Sequence, residues 1–242
     1  MSQNKLIPDL NCDLGEGMGN DALLMPFLGS CSIACGGHVG NGENMLQSLL
    51  LAKELGVKVG AHPSFPDKIN FGRVLIQIEE EELYQSLLDQ IKEFKFICDG
   101  LKMKMYHIKA HGALYNHAAK DPKTAALIVR LIKDNFPDSY LYCPPKSEIF
   151  ARAVKENLNI KVELFADRTY QEDFSLLPRS LPNALLTNPK EVLNQVKNIV
   201  NLGKVRSNTG KFIPAQGDTL CIHGDNPNAL EILKSITEEF DS

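Results

Sequence analysis

Seven short runs of β-branched and apolar residues alternate with longer stretches of helical periodicity along the whole sequence, and this alternation restricts the fold more than any other feature. The strand-like runs are Pro8–Asp13, Ser32–His38, Val57–His62, Met103–His111, Tyr140–Cys143, Lys161–Asp167 and Thr219–Asp225, each ending at polar residues or Gly. Helical signals lie between them. The run 44–55 stops at Gly56, and the run 79–98 repeats Leu83, Leu87, Ile91 and Phe94 at steps of three or four. Asp121-Pro122, Asn188-Pro189 and Asn226-Pro227 each place a capping side chain before a proline at a first helical turn. Strand, helix and strand in repetition predict right-handed crossovers and a parallel sheet. No Ser/Gly/Pro-rich linker divides the 242 residues, so one domain over residues 1–242 is expected.

Such a sheet either closes into a barrel or stays open and doubly wound. An open nucleotide-binding sheet is announced by GxGxxG or GxxxxGK[ST], and neither occurs: Gly15-Glu16-Gly17-Met18-Gly19 lacks the following Gly-Lys-Ser/Thr. A β/α barrel is therefore the expected architecture. Charge narrows the partners: 26 Lys+Arg against 30 Asp+Glu, net -4, offers no basic field for nucleic acid. The start, MSQNKLIPDLNCD, has no charged n-region followed by an apolar h-region, and no later run approaches 18 apolar residues, so neither export nor membrane spanning is expected. Six cysteines sit mostly inside apolar runs, as small hydrophobes in a reducing cytoplasm would.

Residues two apart on a strand share a face. By that rule Asp9, Asn11 and Asp13 line up, as do His107, Lys109 and His111, then His223 and Asp225, and Glu163 with Asp167. Helices must cover the other face of a parallel sheet, so these polar rows point inward. Buried ionic groups need mutual pairing, a metal or a polar ligand. Asp13, His38, His62, His111, Asp167, His223 and Asp225 fall at or just beyond strand ends, where such folds place active sites. Lys109 stands out among the lysines, either as a chemical group or as a salt bridge across the barrel. Other residues carry plainer readings. His62, before Pro63, suits a hydrogen-bonded turn; His117 suits a surface; Glu79–Glu82 suits a solvated first helical turn. Cys31-x3-Cys35 has no second pair and does not make a structural zinc site.

Taken as strings, Asp9-Leu10-Asn11-Cys12-Asp13-Leu14-Gly15-Glu16, Ile33-Ala34-Cys35-Gly36-Gly37-His38, Gly60-Ala61-His62-Pro63-Ser64-Phe65-Pro66-Asp67 with Phe71-Gly72-Arg73, His111-Gly112-Ala113-Leu114-Tyr115-Asn116, Phe165-Ala166-Asp167-Arg168-Thr169-Tyr170 with Pro178-Arg179-Ser180, and His223-Gly224-Asp225 resemble the LamB/YcsF family, in order, from about residue 8 to 240. The sequence departs from the family pattern at Gly37, Asn41, Val74, Ala110 and Phe174, where Phe, Asp, Arg, Pro and Gly are usual. None of these removes a histidine or a strand-end carboxylate; Asn41 removes a charge near the mouth.

The resemblance implies a seven-stranded parallel β/α barrel, TIM-like and similar to the polysaccharide deacetylases. It also implies hydrolysis of the lactam 5-oxo-L-proline to L-glutamate coupled to ATP, together with partner subunits B and C of a 5-oxoprolinase. Opening an unstrained lactam means losing amide resonance, and phosphorylating the lactam oxygen makes it a leaving group. Asp13 and His111 are then the candidates for activating water, with Lys109 as a third catalytic group. Arg73, Arg168, Arg179 and Lys109 are candidates to hold carboxylate or phosphate, the arginines through planar forks. Asn11, Glu16, His38, His62, Asn116, Asp167, His223 and Asp225 complete the expected substrate-binding set. No metal ligand is assigned. Two rival readings are a metal-dependent deacetylase, with Asp13, His38 and His62 around a divalent cation, and a non-catalytic protein that only binds a small carboxylate.

Overall fold

The structure, a computed structural model, describes residues 7–240; the first six residues of the start read above for a leader lie outside them. Seven strands close a parallel barrel: β1 (Asp9–Leu14), β2 (Ser30–Ala34), β3 (Lys58–His62), β4 (Met105–Ile108), β5 (Tyr140–Cys143), β6 (Ile160–Phe165) and, after a two-stranded hairpin, β9 (Thr219–His223). The ring follows chain order and shuts where β9 pairs with both β6 and β1, setting Glu163 beside Thr219 and Asp13 beside His223. The hairpin, β7 (Lys204–Arg206) with β8 (Phe212–Pro214), is antiparallel and is not among the expected strands. Three-residue strands carry too little periodicity to be read. No helix among the described residues is long and apolar enough to cross a membrane.

Side-chain alternation sorts each strand. Leu10, Cys12 and Leu14 of β1, Ile33 of β2, Val59 of β3, Leu164 of β6 and Leu220 of β9 join the buried apolar cluster that runs between barrel and helices. The opposite parity fills the barrel with polar groups. Asn11 donates to Thr219 Oγ1 (2.7 Å), His107 lies 3.0 Å from Ser32 Oγ and stacks on Tyr142 at 3.8 Å, and Ser30 reaches Asp9. Gly60 leaves the space for the His107 ring, since a Cβ there would overlap its atoms. Gly60→Ala is accordingly expected to cost about 1–3 kcal/mol through overpacking, read as a lower denaturation midpoint; an unchanged midpoint would show the ring free to move aside.

The outer helices follow their sequence signals with one exception. After the short α1 (Asp21–Leu24), α2 (Gly42–Leu55) starts where Asn41 accepts from Asn44 N–H at 2.8 Å and ends at Gly56, φ 71°. Asn41, where the family has Asp, thus acts as an N-cap, a task both residues perform. Helix α3 (Glu80–Gly100) buries Leu83, Leu87, Ile91 and Phe94. Beyond the short α4 (Gly112–Ala118), α5 (Pro122–Asn135), α6 (Glu148–Lys155) and α7 (Pro189–Lys197) are capped by Asp121, Ser147 and Asn188. The exception is Asn226-Pro227. Helix α8 (Ala229–Phe240) begins two residues past that proline, and the Asn226 amide is committed to Asp167 Oδ2 (3.0 Å) and Leu186 O (3.0 Å). All six cysteines are buried with free thiols.

Candidate active site

Four strands end earlier than the sequence reading sets them, and the difference carries four expected site residues off the sheet. β2 stops at Ala34, β4 at Ile108, β6 at Phe165 and β9 at His223, so His38, His111, Asp167 and Asp225 belong to the loops beyond. His111 is the residue before α4. There the chain turns at Gly112, whose φ of 53° is the left-handed region open to glycine.

Lys109 occupies the centre. Its backbone N–H still pairs with Ala61 O (3.0 Å), and its ammonium lies 2.8 Å from Asp13 Oδ1, 2.8 Å from Glu163 Oε1 and 3.2 Å from Cys221 Sγ. Burial opposes its charge, but Asp13 beside it prevails and holds the amine protonated well above the ordinary lysine range. Burial likewise opposes ionisation of Asp13, and His62 and Lys109 outweigh it, keeping the carboxyl well below its usual range. Of the two sequence readings of Lys109, the salt bridge across the barrel is present in these contacts.

Above Lys109 three imidazoles gather. His62, at the end of β3, has Nδ1 2.8 Å from Lys109 O and Nε2 2.9 Å from His111 Nδ1. His111 Nε2 lies 3.0 Å from Phe71 O, and burial pushes the imidazole down to about 4, so it is neutral near neutral pH. His38, fully buried, sits 3.1 Å from Ser64 Oγ and 3.1 Å from Glu16 Oε1, and stacks on His111 at 3.7 Å. Burial also lowers His38 from the ordinary imidazole value. Burial opposes the charge of Glu16 too, yet its contacts with His111 and His38 overcome this and hold its carboxyl below the usual range. The plain turn reading of His62 gives way to this arrangement.

Around the mouth, a cavity of about 720 Å³ is lined by Asp13, Glu16, His62, Arg73, Lys109, His111, Asn116, Arg168, Arg179, His223 and Asp225 among others. Asn11, His38 and Asp167, expected at the substrate, do not line it. Asn11 lies deeper in the barrel against Thr219, His38 stands behind Glu16, and Asp167 accepts from the His223 ring (2.8 Å), the His223 N–H (3.0 Å) and Asn226. The arginine forks are also partly engaged. Arg73 and Arg179 converge on Asp225 at 2.5 and 2.8 Å, and Arg168 donates to Ala184 O and Leu177 O, tying down the loop that follows β6. Asn116 donates to Gly112 O within its own helix. His117, expected on the surface, is half-buried and lines the cavity.

Sequence reasoning missed four residues of this region. Gln195 of α7 donates to Phe165 O, Ala166 O and Arg168 O, fixing the chain where β6 leaves the sheet. Gln90 of α3 clasps the Ser64 backbone from both sides, N–H to Oε1 and Nε2 to O, each at 3.0 Å. An amide on a helix reads as surface, and only the buried side of its helical wheel hinted otherwise. Lys120 and Lys146 add two cations to the cavity wall; as single lysines in loops they carry no sequence signal.

A closed seven-stranded parallel barrel whose carboxylates and imidazoles meet in a cleft at the C-terminal ends of its strands defines a β/α-barrel protein with the layout of a barrel enzyme. The LamB/YcsF family profile matches residues 8–242, and the chain belongs to this family. A protein of Haemophilus influenzae (strain PittEE), named as the A component of 5-oxoprolinase, is 41% identical over 233 residues, covering 96% of this chain and 95% of that protein. One of the same name from Bordetella pertussis is 42% identical, covering 94% and 92%. Among solved structures, the lactam utilization protein from Thermus thermophilus superposes with a TM-score of 0.91 at 35% identity, covering 98% of this chain and 96% of that one.

Proposed function

We propose that the chain is the lactam-opening component of an ATP-dependent 5-oxoprolinase, hydrolysing 5-oxo-L-proline to L-glutamate together with partner subunits B and C. The near full-length likeness to proteins named as the A component of 5-oxoprolinase carries this reading. The cleft suits it. Five cationic side chains on the wall, Arg73, Lys120, Lys146, Arg168 and Arg179, match a substrate carboxylate and phosphoryl oxygens. In the overall reaction one lactam C–N bond and one phosphoanhydride bond are hydrolysed by two waters, and the phosphoryl group taken up by the lactam oxygen weakens amide resonance. His111 is the better proton acceptor of the two catalytic candidates. Its Nε2 is tied to Phe71 O and leaves Nδ1 as the basic nitrogen, whereas Asp13 is engaged by Lys109 and keeps the charge that steadies the centre.

No P-loop is present, so ATP meets this chain through the cationic wall or is held by the partners. Six buried free thiols agree with a reducing cytoplasm. Co-purification with candidate B and C subunits, followed by measuring glutamate formed from 5-oxoproline and ATP, tests the proposal; an intact complex that forms none sinks it. In that assay Arg179→Ala should raise KM roughly tenfold to hundredfold, the value of about 1.5–3 kcal/mol for a charge-assisted hydrogen bond, with kcat nearly kept. A fall in kcat at unchanged KM would remove Arg179 from substrate binding.

A further inference from the structure

The histidine pair at the mouth turns two ring nitrogens toward each other and toward two carboxylates. His62 Nδ1 and His111 Nε2 each face a backbone carbonyl, Lys109 O and Phe71 O, at 2.8 and 3.0 Å. A carbonyl only accepts, so these two nitrogens carry protons, and the other two, His62 Nε2 and His111 Nδ1, are the ones free to ligate. Those two nitrogens are 2.9 Å apart. Asp13 Oδ2 lies 3.4 Å from the first and Glu16 Oε1 3.3 Å from the second. Four atoms able to ligate a cation converge here.

Charge points the same way. Asp13, Glu16 and Glu163 are all buried, and among the described lysines and arginines only Lys109 is ion-paired with any of them. The other partners of Asp13 and Glu16 are imidazoles, which ligate a cation when neutral.

We propose that a divalent transition-metal ion of the zinc class binds at Glu16, His62 and His111, with Asp13 beside it. The three donor atoms lie within 4.8 Å of one another, and two imidazoles with a carboxylate are the donor set that zinc-class ions take. The outer contacts fit as well: ligating imidazoles characteristically donate their second nitrogen to a carbonyl, as both rings do here. His38 is not a ligand. It turns to Glu16 and Ser64 and orients the carboxylate, which replaces the set of Asp13, His38 and His62 considered from sequence. Glu16, His62 and His111 all line the cavity, so a coordination position faces it, where the ion would hold and acidify a water. The site stands on this geometry and deepens the proposed reaction by supplying its water; with the ion bound, the His111 Nδ1 lone pair serves as a ligand, and Asp13, whose Oδ2 lies 3.4 Å from His62 Nε2, is the proton acceptor beside it.

The full-length chain, stripped with chelator, is titrated with Zn2+ by calorimetry and with Co2+ by visible absorption. One equivalent per chain is expected, with a rise in Tm on zinc addition and cobalt d–d bands free of thiolate charge transfer. Glu16→Gln and His62→Ala should each weaken binding by at least about tenfold. Absence of stoichiometric binding in the unmodified chain, a thiolate band placing cobalt on cysteine, or undiminished binding in both variants overturns the proposal; the cobalt titration holds its force even if a variant fails to fold. Turnover of the assembled complex is scored separately. Stoichiometric metal beside absent 5-oxoproline hydrolysis supports the site and overturns the reaction.

Discussion

Lys109→Met is expected to lower the free energy of unfolding by about 3–5 kcal/mol, the range for breaking a buried ion pair by removing one partner, and to abolish turnover. Methionine fills nearly the same volume, so packing loss is small and the effect isolates the ammonium. Without it, Asp13 and Glu163 each lose a contact of 2.8 Å and face each other inside a closed barrel. Glu163→Gln is the informative control. It leaves one ammonium opposite one carboxylate and should cost far less than the lysine change. Urea melts of the three proteins decide the matter. A methionine variant as stable as the parent would mean that water reaches the barrel interior and screens the trio.

The second large effect is on rate. His111→Ala should reduce kcat of the assembled 5-oxoprolinase by about 10²–10⁴, the usual contribution of a positioned general base, or through loss of a ligand where the proposed ion is bound, with KM for 5-oxoproline little changed. His111 touches three groups at once: Glu16 at 3.3 Å, His62 at 2.9 Å and Phe71 O at 3.0 Å. Its loss therefore removes a proton acceptor and unfastens Glu16 and His62 together. Turnover within threefold of the parent would rule this assignment out. A thermal melt run alongside separates a chemical loss from an unfolded protein.

Much of this architecture was legible because two periodicities wrote it. The period of two in Asp9-Leu10-Asn11-Cys12-Asp13 places Asn11 and Asp13 inside and Leu10 and Cys12 outside, as found. Strand ends were less legible. The period-two row through His107, Lys109 and His111 and the small residues after Ala34 suggest longer strands, while the turns at Gly36 (φ 101°) and Gly112 end them. Ligand-like arginines were legible as residue types but not as partners. Nothing in Pro178-Arg179-Ser180 or Phe71-Gly72-Arg73 says that both forks meet Asp225, since the three residues lie on separate loops that only barrel closure brings together. Glu16 reads as a substrate group, and its neighbours His38 and His111 arrive from two other segments. Tautomers in particular are invisible to sequence, because they are set by carbonyls such as Lys109 O and Phe71 O.

The way the ring closes bears on how the molecule is made. Strand β9 supplies the final pairing on both sides, to β6 and to β1, and it lies close to the C-terminal end of the barrel sequence. A nascent chain therefore carries β1 and β6 as two open edges until Thr219–His223 has left the ribosome. His223, Asp225 and Cys221 arrive with that same stretch, so the catalytic hollow is completed only when the ring closes rather than growing with the chain. Prematurely terminated copies would have neither a sealed sheet nor a site, which leaves their disposal to chaperones and proteases instead of to any residual activity.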